Sequence, residues 1–128
     1  MRKKSSLLLA LCLGVSLVSA APPKAKDASE VSPDTHRVVL DNANVRVLEI
    51  RVNSGQKVPM HSHPAHLIVN LSPARVKFTY PDGKTELVDL RPGDAVWSDG
   101  VEHAAEALVG TVHIILVEVK GAKPTARP

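Results

Sequence analysis

Two histidines two residues apart, His61 and His63, close the stretch Gly55 to His63, which reads Gly-Gln-Lys-Val-Pro-Met-His-Ser-His. In an extended strand, residues i and i+2 face the same side. The two imidazoles can therefore aim at one point, which is a metal-ligand geometry. A second segment opens at Gly93-Asp94 and ends at His103. These two stretches carry the chemistry of the chain, and together they suggest a metal-binding barrel.

The elements that must hold them are short. Arg37-Val-Val-Leu40 and Val45 to Val52 are apolar and rich in β-branched residues, with a turn at Asp41-Asn42-Ala43-Asn44. In the second run the face carrying Leu48, Ile50 and Val52 is the better inward candidate. Val58 to His63 is a short strand. Pro59 inside it argues for an edge or irregular position, because proline cannot donate to a ladder. His66 to Leu71 follows. Val76 to Tyr80 and Thr85 to Leu90 flank Pro81-Asp82-Gly83-Lys84, a hairpin signal. Ala95 to Ser98, His103 to Leu108 and Thr111 to Lys120 complete the series. No helix-period segment of useful length remains after the N-terminal region. Many short strands with Gly and Pro turns predict an all-β sandwich or barrel.

Composition narrows the function classes. Arg2, Lys3 and Lys4 precede an apolar run, Leu7 to Val18, and Val18-Ser19-Ala20 offers a cleavage site. This is the pattern of a secretory signal peptide over residues 1–20, so the expected location is secreted or periplasmic. The run is short for a permanent bilayer span, and no stable membrane anchor is expected. Cys12, the single cysteine, would leave with the signal, which excludes disulfides and a nucleophilic thiol in the mature chain. Of 16 basic residues, Arg2, Lys3 and Lys4 belong to the signal, and the remainder balances the 13 acidic ones. That balance gives no electrostatic case for nucleic acid. Residues 21–36 read as a flexible leader rich in Pro, Ala, Lys and Ser, residues 37–120 as the folded domain, and residues 121–128 as a mobile tail. With one Phe, one Tyr and one Trp, the core must be built from Val, Leu and Ile.

Both chemistry-bearing stretches resemble the cupin superfamily, over roughly Arg37 to Lys120. The first cupin motif runs Gly, five residues, His-x-His, three or four residues, Glu, six residues, Gly. Gly55, His61 and His63 match its first half. The second runs Gly, five residues, Pro-x-Gly, two residues, His, three residues, Asn. Gly93, Gly100 and His103 match it, with one residue fewer between the glycines. The resemblance implies a single cupin-type jelly-roll β-barrel. It also implies a divalent transition metal (Fe, Mn, Zn, Cu, Ni or Co) held by His61, His63 and His103, a small-molecule ligand or substrate, and a homodimer. The sequence departs from the pattern where the motif glutamate would fall, at Leu67 or Ile68, with Leu67 the better match. Ser98 replaces the usual proline, and Ala107 the usual asparagine. Loss of the carboxylate removes an anionic ligand and should weaken a hard cation.

The remaining candidates divide by strand parity. If position 67 faces the interior, His66 faces away, although Pro64-Ala65 leaves that parity open. His113 lies in an apolar strand and reads as a core or dimer-face histidine, with a proton-transfer role as the functional alternative. His36, at the leader boundary, reads as solvated. Val58, Leu67, Val69 and Val96 are expected to form an aliphatic pocket, and Trp97 to pack in the core or at the pocket rim. Two functions stay open: a metal-dependent enzyme, and a non-catalytic cupin binding or structural module without bound metal.

Overall fold

A computed structural model describes residues 24–123; the signal-peptide reading of residues 1–20, and the tail beyond residue 123, lie outside them. The described chain is a short helix and nine strands. They are α1 (Ala28–Val31), β1 (His36–Asp41), β2 (Val45–Val52), β3 (Lys57–His63), β4 (His66–Asn70), β5 (Ala74–Thr79), β6 (Thr85–Leu90), β7 (Ala95–Ser98), β8 (Val101–Val109) and β9 (Val112–Val119). The expected all-β barrel is present as two antiparallel sheets, ordered β1-β2-β9-β4-β7 and β3-β8-β5-β6. Among the described residues no helix is long and apolar enough to cross a membrane.

Period-two alternation explains how the sheets close on each other. On β2, Leu48, Ile50 and Val52 are buried, as their parity predicts; on β9, Val112, Ile114, Leu116 and Glu118 are. These residues pair directly across the ladder: Val52 with Val112, Ile50 with Ile114, Leu48 with Leu116. Val58, Val76 and Ala107 from the other sheet complete the same aliphatic core. The wall is therefore built from small, stiff side chains, which leaves room inside for imidazoles.

Two features of β3 follow from Pro59. The strand sits at the edge of its sheet, and its pairing with β8 is irregular between Val58 and His61. The proline thus occupies the kind of position where its missing N–H costs no ladder bond.

Part of the N-terminal stretch read as a flexible leader is ordered. Asp27 caps α1 by accepting a hydrogen bond from the Ser29 amide, and Ala28 is fully buried. Asp27 bridges to Ser62 of β3, whose amide donates to the Lys26 carbonyl at 2.8 Å. Residues 25–27 therefore cover the edge of β3 at Ser62, where they satisfy a backbone group that an uncovered edge would leave to solvent or to another chain, before Thr35 and His36 pass to β2 of the other sheet.

Candidate metal centre

Strand register brings the histidines together. His61 on β3 lies directly opposite His103 on β8, and their ring centroids are 4.7 Å apart. His63, two residues along the same strand, has its ring 5.0 Å from that of His61 and 5.9 Å from that of His103. The three predicted ligands therefore line one cavity of about 60 Å³ inside the barrel.

Two further histidines line it. His36, expected to be solvated, is 4% exposed. On β1 it pairs with Ile50, which turns its side chain to the inner face. Its ring stands 5.1 Å from that of His61 and 5.8 Å from that of His63. His36, His61 and His63 each place a ring nitrogen within 4.8 Å of the others. His66 is also buried, with its ring 5.4 Å from that of His63. The parity argument against it fails at its premise, because position 67 does not face the interior. His66 and Ile68 point into the cavity, and Ile68, not Leu67, occupies the place of the motif glutamate. The aliphatic lining is accordingly Ile50, Val52, Val58, Ile68, Val76 and Ile114, with Phe78. Of the pocket residues expected from sequence, only Val58 is among them. Val96 is 52% exposed, and Trp97 points outward and donates its indole N–H to Asp99 at 2.8 Å.

Hydrogen bonds fix the ring orientations. His61 Nδ1 lies 2.7 Å from the Pro59 carbonyl oxygen, and His66 Nδ1 lies 2.6 Å from that of Pro64. A carbonyl can only accept, so in each ring Nδ1 carries the proton and Nε2 keeps a free lone pair. His63 Nδ1 lies 3.2 Å from Glu118 Oε1, with the same consequence. His36 Nδ1 meets Thr35 Oγ1 at 2.8 Å, and that hydroxyl is itself placed to donate to Ser32. This is how metal-binding histidines are usually held, with the outer nitrogen tied and the inner one available. His103 is held differently, stacked on Phe78 at 4.7 Å.

The cavity disfavours protonation of His36, His61, His66 and His103. Burial, and then the neighbouring imidazoles His61 and His63, push His36 and His103 down to about 3. Burial likewise lowers His61 and His66, against the hydrogen bonds to Pro59 and Pro64. A protonated imidazole cannot ligate, so depressed basicity in an aliphatic pocket suits the donor set to a metal at neutral pH. Two ligands on a tetrahedral ion with bonds of about 2.1 Å stand about 3.4 Å apart; the ring nitrogens of His36, His61 and His63 lie within 4.8 Å of one another, and the predicted ligand His103 lies outside that closest group although its ring lines the same cavity. The residues fit a metal ion.

Glu118 and Arg46 were missed in the sequence, although parity marks them. Arg46 shares the inward face of Leu48 and Ile50, and Glu118 that of Ile114 and Leu116. Two opposite charges at the same end of two inward faces signal a buried pair. His113 has the opposite parity. It sits on the outer face and meets Glu49 Oε1 at 3.0 Å, which places it outside the core and away from the cavity where a proton-transfer role would need it.

Gly100 holds the second motif against the first. Its φ of +122° is one that L side chains rarely adopt, and a Cβ there would meet the His63 carbonyl oxygen at 3.3 Å. Gly100→Ala should therefore cost roughly 1 kcal/mol or more, read as a lower midpoint in thermal unfolding of the metal-free protein.

No family model matches the sequence, and no curated protein does. Solved structures match well. A cupin domain from Bordetella pertussis Tohama I superposes with a TM-score of 0.62 at 22% identity, covering 78% of this chain and 100% of its own. A protein with a double-stranded β-helix domain from Klebsiella pneumoniae gives a TM-score of 0.53 at 19% identity, covering 69% and 78%. The polyketide cyclase RemF from Streptomyces resistomycificus gives 0.51 at 26% identity, covering 70% and 66%. With its two wrapped antiparallel sheets, and both motif histidine segments facing one cavity, this chain has the cupin fold.

Proposed function

We propose that the barrel binds one divalent transition-metal ion through the imidazoles of His61, His63, His103 and His36, and offers it to a small molecule. The observation that carries this reading is the set of buried histidines His36, His61 and His63, whose outer nitrogens are tied and whose rings share one aliphatic cavity with that of His103. Four neutral donors leave the ion's charge uncompensated by any direct ligand. Such a site favours nitrogen-preferring ions such as Zn, Cu, Ni, Co or Fe over Mg or Ca. A bound ion would supply a Lewis acid there, while the chain's own aliphatic wall excludes bulk water and limits the partner to a small one.

A cyclase among the similar structures supports action on a small molecule. The non-catalytic alternative is favoured by one observation: apart from the histidines, the lining holds no titratable group. We also propose export through residues 1–20, so that the centre is loaded outside the cytoplasm. The test is metal content. The untagged chain is stripped with chelator and reconstituted separately with zinc, cobalt, nickel, copper and iron. One ion per chain is expected with at least one of these; no uptake of any of them overturns the reading. Dioxygen consumption by the iron-loaded protein, screened against small substrates, then separates enzyme from binding module.

A further inference from the structure

A line of charged groups runs from the cavity to the N-terminal segment. His63 Nδ1 donates to Glu118 Oε1 at 3.2 Å, and Arg46 Nε donates to Glu118 Oε2 at 2.6 Å. The far side of the same guanidinium donates to Asp27, whose other oxygen accepts from the Ser29 amide at 2.9 Å and the Ser29 hydroxyl at 2.6 Å. Glu118 is 2% exposed. Register explains the placement. Arg46, Glu118 and His66 form one cross-strand row on the inner face of β2, β9 and β4.

Such a carboxylate is costly to bury and needs full pairing. Both of its oxygens are used, one on a candidate ligand and one on an arginine. Paired with the Arg46 guanidinium at 2.6 Å, Glu118 brings a carboxylate beside a ligand set that contains none of its own, because Ile68 stands where the motif glutamate would be.

We propose that Glu118 is a positioning residue for the metal centre: it holds His63 with Nε2 facing the cavity and supplies, one hydrogen bond beyond that ligand, the negative charge that the direct ligands lack, while Arg46 and Asp27 fasten it to the N-terminal segment. The inference rests on the metal reading above. It makes residues 27–36 part of the centre twice over, through His36 as a ligand and through Asp27 as the outer anchor of Glu118. A partner of this kind typically changes metal affinity by about 10–100-fold when removed.

The test uses the full chain and cobalt(II) as the probe. Glu118→Gln keeps the shape and an acceptor oxygen but removes the charge, and should weaken cobalt binding about 10–100-fold. Asp27→Asn, acting only at the outer end, should weaken it roughly two- to fivefold, and it serves if Glu118→Gln does not fold. In the metal-free protein, imidazole 15N spectra should show His63 protonated at Nδ1 in the wild type, with a mixture of tautomers in Glu118→Ala. A purely structural role would lower the unfolding midpoint of Glu118→Gln yet leave cobalt affinity and the His63 tautomer unchanged, and that result overturns the inference alone. A wild type that takes up no cobalt or other transition metal sinks the metal reading instead, and the affinity claim with it.

Discussion

Replacing His61 with alanine should weaken metal binding more than any other single histidine substitution, and replacing His61 and His63 together should lower affinity about ten-thousandfold or more. The ranking comes from geometry. The His61 ring lies within 5.1 Å of those of His36, His63 and His103, so it occupies the middle of the set. The His66 ring has His63 as its near neighbour, at 5.4 Å, and its loss should matter least. The magnitude follows from the roughly 10–16 kcal/mol by which four-ligand sites hold zinc, which is about 3 kcal/mol per ligand. Competition with a chromophoric chelator measures it. Equal, small effects for all five single alanine variants would contradict a centre built around His61.

Acid should destabilise the metal-free protein from an unusually high pH. His36 and His103 titrate near 3 in the folded chain, against about 6.5 when unfolded. Below 6.5 the unfolded chain takes up protons that the folded one refuses, so stability is complete above that value and falls as pH drops through the window from 6.5 to 3. At pH 5 each of the two histidines should cost about 2 kcal/mol, somewhat less for the partly accessible His103. Together that shifts the unfolding midpoint by on the order of 20 °C for a domain this small. Glu118 and Asp27, both held below their ordinary values, add to the loss only at lower pH, where carboxylates protonate. Thermal scans from pH 7 to 5 check the slope, and a His36→Gln/His103→Gln double variant should flatten it. A wild-type midpoint that does not move over this range would contradict buried neutral imidazoles.

The strands and the core of the large sheet were readable because their information is local. β-Branched runs, Gly and Pro turns, and the alternation of Leu48, Ile50 and Val52 each lie within a few residues. Pro59 announced an edge, and His61 and His63 announced a shared face. His103 needed the second motif, since its position opposite His61 is a matter of long-range register. The misreadings share that cause. His36 follows a Pro- and Lys-rich stretch that looks unstructured, and only its pairing with Ile50 turns it inward. His66 was discounted on the premise that Leu67, the better match to the motif glutamate, faces inward; Ile68 does instead, and His66 shares its face. The Arg46–Glu118 pair joins residues 72 positions apart, yet each already stood on an inward face. A charge at an inward position of an otherwise aliphatic strand was the available signal.

The central claim is that one metal ion sits among these imidazoles. Anomalous diffraction at the metal's absorption edge, on crystals of the cobalt- or zinc-loaded full chain, tests it most directly. The predicted result is a single strong peak inside the barrel, about 2.0–2.1 Å from Nε2 of His61 and of His63, with His103 and His36 turned toward it and Glu118 still on His63 Nδ1. A peak at the outer-face His113, or no peak in the barrel after reconstitution, would contradict it.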